Sequence, residues 1–336
     1  MLKYCARRSG EWRGVSMHFQ NAAGNASWGA AMRLRARFPT FLSDVLARPR
    51  ALLLFVFGRL MPARRLAAAL ASHAARRHGE CLHPTASGGT LASVPGVADA
   101  VAGLRQEGIC TGLRLTPAAT AEILDHASRA TCAGGEGWRT IFTLPGHADA
   151  ERRTGQRILC ANAWKADREC PAVARLVRDP WLHAVAAGYL GPAARVIDAR
   201  LLWSFPARGA ARSELSRVAQ DTFHFDLADW GQLKFFFYIT DVGAETGAHA
   251  FVRGSHARRP LSHQLTAFVA KSDAEIIAAH GREAVQVIDG PAGTGFVEDP
   301  FGFHTGTALR RGRRLMLEVS FGITAPPRGG GAAAQG

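Results

Sequence analysis

Three residues of this sequence have the types and the spacing of metal ligands. His224 and Asp226 are separated by one residue, and His304 follows 80 residues after His224. In a β-strand, residues i and i+2 point to the same face, so His224 and Asp226 are able to bind one metal while Phe225 points away. His304 must then come from another strand folded alongside. Two histidines and one carboxylate form the ligand set that holds non-haem Fe(II) and leaves coordination positions open.

An arginine lies shortly after the distal histidine. Arg314 follows His304 by ten residues and begins an apolar run. A guanidinium group matches a carboxylate through two parallel hydrogen bonds, so this residue is a candidate anchor for an organic co-substrate. Its neighbour Arg313 would face the opposite way on a strand, so only one of the two can serve. The sequence favours Arg314.

The segments around these residues resemble the phytanoyl-CoA dioxygenase (PhyH-like) family of Fe(II)/2-oxoglutarate oxygenases. An H-x-D motif is weak by itself in a chain with 13 histidines. The likeness covers residues 95–322 and is more specific because several motifs occur together. They are the H-x-D segment, an aromatic stretch ending in Thr240-Asp241-Val242, the turn Glu245-Thr246-Gly247, and the segments Gly254-Ser255-His256, Tyr189-Leu190-Gly191 and Phe303-His304-Thr305-Gly306.

The sequence departs from the family pattern at two places near the distal histidine. Many members carry a serine two residues after it, where it helps to hold 2-oxoglutarate, and this chain has Gly306. The arginine often lies one residue further along than Arg314. Thr305 or Thr307 is the predicted replacement for the missing hydroxyl.

The resemblance implies the cofactors and the reaction. Fe(II) would be bound by His224, Asp226 and His304, and 2-oxoglutarate by Arg314, with O2 as the other co-substrate and ascorbate as an accessory reductant. Succinate and CO2 would be released, and a C–H bond of a small organic or lipid-like substrate would be hydroxylated. Related halogenases carry a small residue in place of the carboxylate, so Asp226 favours hydroxylation or desaturation.

Two further residues near the first motif are candidates for the site. Trp230 is predicted to wall the iron, with ordinary core packing as the alternative, and Lys234 is predicted to face a carboxylate in the cavity. His249 and His256 are expected to make structural hydrogen bonds, and Glu298 to be a polar residue at a strand end. Two other functions stay open, namely a cupin-like metal enzyme that does not use 2-oxoglutarate and a non-catalytic, membrane-associated binding protein.

The order of the patterns predicts the fold class. Helical spacing at 97–108, from Pro117 after the cap Thr116, and at 171–190 precedes a series of short strands from Val196 onward. This order predicts an α+β fold, and the resemblance specifies a double-stranded β-helix (jelly-roll, cupin-like) core with N-terminal flanking helices. The predicted divisions are a basic extension and linker at 1–90, the dioxygenase domain at 91–325 and a disordered tail at 326–336. Two segments have further predicted roles: a loop over the site mouth at 133–157, and a substrate-selecting insertion at 258–282 with a helix at 272–280.

The positive charge is concentrated near the N-terminus. The chain of 336 residues has a net charge of +14, of which +11 falls in residues 1–80. The domain is nearly neutral, which argues against nucleic-acid binding. Residues 1–80 are predicted to be a loosely ordered or helical extension without a catalytic role, an arm whose apolar side packs on the domain or on an anionic membrane surface, or an organellar transit segment. The corresponding locations are the cytoplasm, a membrane periphery or an organelle, and the oligomeric state is left open.

The six cysteines show no metal or disulfide spacing and are expected to be free thiols.

Overall fold

The computed structural model describes residues 49–78, 89–265 and 270–324. The tail predicted at 326–336 and residues 1–48 of the N-terminal extension lie outside the described residues. The helices are α1 Pro49–Phe57, α2 Met61–His78, α3 Val97–Glu107, α4 Pro117–Arg129, α5 His147–Thr154, α6 Ala166–Glu169, α7 Pro171–Val177, α8 Pro180–Leu190, α9 Arg212–Arg217, α10 Leu261–Leu265 and α11 Asp273–His280. The strands are β1 Leu91–Ser93, β2 Ile109–Leu115, β3 Thr131–Gly134, β4 Thr140–Thr143, β5 Cys160–Trp164, β6 Arg195–Ser204, β7 Gln232–Tyr238, β8 His249–Val252, β9 Val285–Ile288, β10 Thr294–Glu298, β11 His304–Gly306 and β12 Arg314–Gly322.

The strands form two antiparallel sheets that face each other. The larger sheet has nine strands in the order β1-β2-β10-β7-β12-β6-β5-β3-β4, and the smaller sheet has the order β11-β8-β9. Between them lies an apolar cluster to which the larger sheet contributes Phe236, Tyr238 and Met316 and the smaller sheet contributes Phe251. The α+β jelly-roll core predicted from the sequence is confirmed.

Strand β7 shows why the larger sheet is buried on both faces. Leu233, Phe235 and Phe237 pack into the main core with the helices, whereas Phe236 and Tyr238 face the smaller sheet. Each of these side chains contributes about 1.5–3 kcal/mol by leaving water. A strand covered on both sides reads as an unbroken apolar run, which is the pattern of this segment. Lys234 is the charged residue in this apolar run. It lies on the same face as Phe236 and Tyr238, which is the face toward the smaller sheet and is called the inner face below.

The sequence located several helix ends correctly. The Thr116 hydroxyl caps α4 by accepting a hydrogen bond from the backbone N–H of Ala119 at 3.2 Å. Ser272 caps α11 and forms a capping box with Glu275, so the helix predicted inside the insertion is present. Gly191 ends α8 with a positive φ of 89°, a conformation that favours glycine.

Three secondary-structure predictions were wrong. The loop expected at 133–157 contains half of β3 and all of β4 and α5. The two strands have four residues each, which is too short for a period of alternating apolar residues to be recognised. The single helix expected at 171–190 is divided into α7 and α8 by Pro180, which has no N–H to continue a helix. The β-strand expected to carry His224 and Asp226 is reduced to isolated bridges at Phe223 and His224.

Helix α2 packs on the domain although it lies within the predicted extension. Ala75 is buried in the main core, and Ala68 and Ala71 pack against it. Leu66 and Leu70, on the other side of the helix, are 62% and 61% exposed. None of the described helices is both long and apolar enough to cross a bilayer, and contact of this segment with a membrane surface stays a prediction.

Within the described residues the cysteines are free thiols, namely Cys110, Cys132, Cys160 and Cys170.

Candidate metal centre and co-substrate site

The three predicted ligands lie together between the sheets. Each of His224, Asp226 and His304 offers an atom within 4.8 Å of the others. The Oδ1 atom of Asp226 is 3.8 Å from Nε2 of His224 and 4.0 Å from Nε2 of His304. The side chains of His224 and Asp226 are 19% and 23% exposed, against 7% for His304, so the group opens on one side. Two imidazoles and a carboxylate with an open side fit the donor set of Fe(II).

Backbone pairing fixes the two histidines. His224 N–H donates to the carbonyl of His304 at 3.0 Å, and His304 N–H donates to the carbonyl of His224 at 2.8 Å. Each ring places Nδ1 near the carbonyl two residues earlier, at 3.2 Å from Thr222 and 3.0 Å from Gly302. With the proton on Nδ1, each Nε2 presents its lone pair to the centre. The rings are therefore oriented before any metal arrives.

Asp226 is held by a lysine on the inner face of β7. Lys234 Nζ lies 2.8 Å from Asp226 Oδ2 and 3.2 Å from Glu318 Oε1. Glu318 also accepts from Arg200 at 2.8 Å and from the hydroxyl of Ser320 at 2.9 Å. The carboxylate that Lys234 faces thus belongs to the protein itself, and a contact with 2-oxoglutarate stays a prediction.

Burial and these charges set the protonation states. Burial lowers the pKa of His304 to about 4, and it also lowers the pKa of His224, so both imidazoles are neutral near pH 7. Burial opposes the ionisation of Asp226, but the Lys234 ammonium together with the neighbouring His304 and His224 outweighs burial and holds that pKa well below its usual range. In the same way Arg200 and Lys234 overcome burial and hold the pKa of Glu318 at about 2. The three ligands are in the states that bind a cation.

Arg314 lies inside the molecule and Arg313 is exposed. The Arg314 guanidinium donates to the carbonyl of Gly247 and, at 3.0 Å, to the hydroxyl of Ser204. Its buried Nε has no hydrogen-bond partner among the described residues. A Cβ at Gly306 would lie 3.6 Å from both terminal nitrogens. Because Gly306 and His304 are two apart on one strand, the guanidinium and the metal ligand share a face.

The two threonines predicted as hydroxyl donors are bonded to the backbone. The Thr305 hydroxyl accepts from the N–H of Thr222 at 3.1 Å, and the Thr307 hydroxyl donates to the carbonyl of Ala248 at 3.0 Å. Thr305 alternates with His304 and Gly306 along the strand, so it belongs to the other face. Their roles as co-substrate ligands stay predictions. Trp230 packs against the main hydrophobic core, which is the alternative that its sequence position left open.

Asn162 is an inner-face residue that the sequence did not single out. It is 1% exposed, and neither polar atom of its side chain has a hydrogen-bond partner among the described residues. Asn162 pairs with Leu202, which pairs with Met316, two residues from Arg314. An unpaired buried amide is costly, so Asn162 is a candidate contact for a polar ligand on this face of the sheet. The strand Cys160–Trp164 carries no sequence motif that could have identified it.

The second missed feature is a buried pair behind the metal centre. His249 Nε2 lies 2.8 Å from Glu298 Oε2, and the ring of His249 stacks on that of His304 at a centroid distance of 5.7 Å. Burial raises the pKa of Glu298 to about 7 and lowers that of His249 to about 3. Glu298 is the last residue of β10, as expected, and its side chain is buried. His249 and His256 make the structural hydrogen bonds expected of them, and His256 bonds to the carbonyl of Arg105.

Comparisons with known proteins found several solved structures that are similar to this chain. SnoN, a non-heme alpha ketoglutarate dependent epimerase from nogalamycin biosynthesis, is 17% identical with a TM-score of 0.48, over 67% of this chain and 82% of that one. EctD from S. alaskensis, solved with bound Fe, is 16% identical with a TM-score of 0.43, over 72% of this chain and 82% of that one. At this level of similarity the neighbours identify neither the reaction nor the substrate of this chain. No protein-family model matches the sequence, and no curated protein matches it.

Proposed function

We propose that this chain is an Fe(II)- and 2-oxoglutarate-dependent dioxygenase that hydroxylates a C–H bond of a small organic or lipid-like substrate and releases succinate and CO2. The observation that carries the proposal is the pre-oriented triad, whose ligand atoms lie within 4.8 Å of one another on an open side of the centre. Arg314 and Asn162 supply unpaired polar atoms on the inner face nearby. The PhyH-like motifs in the sequence support the same class.

Each part of the site has a distinct task. The Nε2 atoms of His224 and His304 and Oδ1 of Asp226 would bind the metal, and the metal would supply the activation of O2 coupled to oxidation of 2-oxoglutarate. Arg314 binds the distal carboxylate of 2-oxoglutarate with charge-assisted hydrogen bonds and thereby orients the molecule. The apolar surface around Phe236 and Met316 excludes water from the region between the sheets. The chain contributes orientation and a dry cavity, and the substrate C–H bond must be placed beside the metal.

The test is an anaerobic titration of Fe(II) into the metal-free protein, followed by 2-oxoglutarate, with the visible metal-to-ligand charge-transfer band as the readout. The wild-type chain is expected to give the band. Arg314→Ala is expected to keep iron but to weaken 2-oxoglutarate binding by about 30-fold or more, the effect of removing one partner of a buried charge pair. The exposed neighbour provides the matched control, and Arg313→Ala is expected to behave as wild type.

Two outcomes would replace the proposal by its alternatives. Iron binding without any response to 2-oxoglutarate indicates a cupin-like metal enzyme that does not use this co-substrate. Failure to bind iron, with the fold intact by circular dichroism, indicates a binding protein. His304→Ala checks the site itself, because removal of one of three ligands is expected to abolish the band while Arg313→Ala retains it.

A further inference from the structure

The two oxygens of Asp226 have different partners. Oδ1 is the atom that approaches both histidine nitrogens, at 3.8 Å and 4.0 Å. Oδ2 is 2.8 Å from Lys234 Nζ, and Lys234 is only 9% exposed at its side chain. One oxygen therefore faces the candidate metal position, and the other is occupied by a charged hydrogen-bond donor.

Lys234 is fixed in this position by a second carboxylate. Its ammonium also lies 3.2 Å from Glu318 Oε1, and Glu318 is in turn held by Arg200 and Ser320. Lys234, Glu318 and Arg200 stand on the neighbouring strands β7, β12 and β6. The interaction with Asp226 is thus one end of a chain of buried charges. A flexible surface lysine would lose rotamer entropy on making such a contact, whereas this lysine is already ordered.

We propose that Lys234 restricts Asp226 to binding the metal through a single oxygen and so keeps a coordination position open for the co-substrate. The inference rests on the proposed function. Carboxylates bind metals through one oxygen or through both. With three protein atoms on the ion, an open face is left for 2-oxoglutarate. A second oxygen of Asp226 on the ion would close part of that face. Lys234 is a positioning residue in this scheme, since it acts through Asp226.

The test uses Co(II) in the metal-free protein, because its visible absorption reports coordination number without any turnover. Lys234→Met removes both the charge and the donor at similar length, whereas Lys234→Gln removes the charge but retains a donor. Lys234→Met is expected to bind Co(II), to show an altered visible spectrum before 2-oxoglutarate is added, and to bind 2-oxoglutarate about 10–100-fold more weakly, the range for changes around metal ligands. Lys234→Gln is expected to retain the wild-type spectrum.

Lys165 provides the control, because it is exposed and lies outside the site. Lys165→Met is expected to match wild type in spectrum and in both affinities. An unchanged Co(II) spectrum together with unchanged 2-oxoglutarate affinity in Lys234→Met would overturn the proposal and leave Lys234 with a purely structural role. If Lys234→Met does not fold, a crystal structure of the metal-bound wild-type chain provides the test. Coordination of the ion by both oxygens of Asp226 would contradict the proposal.

The two proposals fail in different ways. If wild-type protein takes up Co(II) but does not bind 2-oxoglutarate, the proposed function fails, and the spectrum of Lys234→Met still tests the binding mode of Asp226. If wild-type protein binds both and the Met variant is indistinguishable from it, only the inference about Lys234 fails.

Discussion

The guanidinium group of Arg64, on helix α2, lies 4.0 Å from the ring centre of Phe301. Phe301 belongs to the turn that carries the carbonyl of Pro300, to which the backbone N–H of Asp226 donates at 2.8 Å. Arg64 also donates to the carbonyl of Asp229 at 3.2 Å. A helix from the predicted basic extension therefore contacts both the turn that accepts the N–H of Asp226 and the segment that follows Asp226 in the sequence. One of its arginines packs inside the protein and is unavailable to a membrane.

Replacing Arg64 by Ala is expected to destabilise the protein by about 1–3 kcal/mol and to weaken metal binding by about 10-fold. The variant loses a cation–π contact and hydrogen bonds from a charged group, and it loosens the turn behind Asp226. The next residue in the same helix, Arg65, is exposed, so Arg65→Ala is expected to stay within about 0.5 kcal/mol of wild type. Urea unfolding and metal titration of the two variants measure both effects. Equal behaviour of the two would show that α2 is a passive extension.

Replacing Asn162 by Leu is expected to change stability and co-substrate binding in opposite directions. The metal-free protein should unfold at equal or higher denaturant concentration, by up to about 1–2 kcal/mol, because two buried polar atoms without partners are removed. Affinity for 2-oxoglutarate should fall by about 10-fold, the value of one hydrogen bond. Iron affinity is the internal control and should not change. A loss of stability without any loss of affinity would show that Asn162 is bonded in solution and does not serve the ligand.

The stability of the metal-free protein should depend on pH through Glu298. Its pKa in the fold is about 7, above the usual value of 4.5, because burial disfavours the charged form. The protonated carboxyl therefore stabilises the fold fully below about pH 4.5, and this contribution, at most about 3 kcal/mol, is lost as the pH rises to about 7. His304 and His249 have lowered pKa values and titrate in the opposite sense.

Glu298→Gln isolates that contribution, since an amide keeps a hydrogen bond to His249 but does not ionise. The unfolding free energy of the variant minus that of the wild type should increase as the pH rises from 4.5 to 7. Above about pH 7 this difference should stay constant. Urea unfolding at several pH values measures it. A constant difference across this range would mean that Glu298 is ionised in the fold throughout.

The meeting of His224, Asp226 and His304 could be predicted from the sequence because the short motif, the distant histidine and the segments around them occur together. The order of helices and strands also indicated the fold class. The sequence could not predict the surroundings of Lys234, Glu298 and Asn162. Their neighbours lie on other strands, and which residues become neighbours depends on sheet register. The sequence placed Lys234 opposite a carboxylate but could not identify it as Asp226. Strands β3 and β4 were missed because they are short and partly exposed.

The backbone pairing of His224 with His304 joins two candidate metal ligands that lie 80 residues apart in the sequence. The insertion at 258–282 packs against the residues beside both ligands. The N–H of Lys271 donates to the carbonyl of Phe223 at 2.7 Å, and the Arg259 guanidinium lies 4.6 Å from the ring centre of Phe303. Redesign of substrate range in this insertion should therefore keep Arg259 and Lys271 and vary its exposed side chains, because the two retained residues support the positions of the imidazoles.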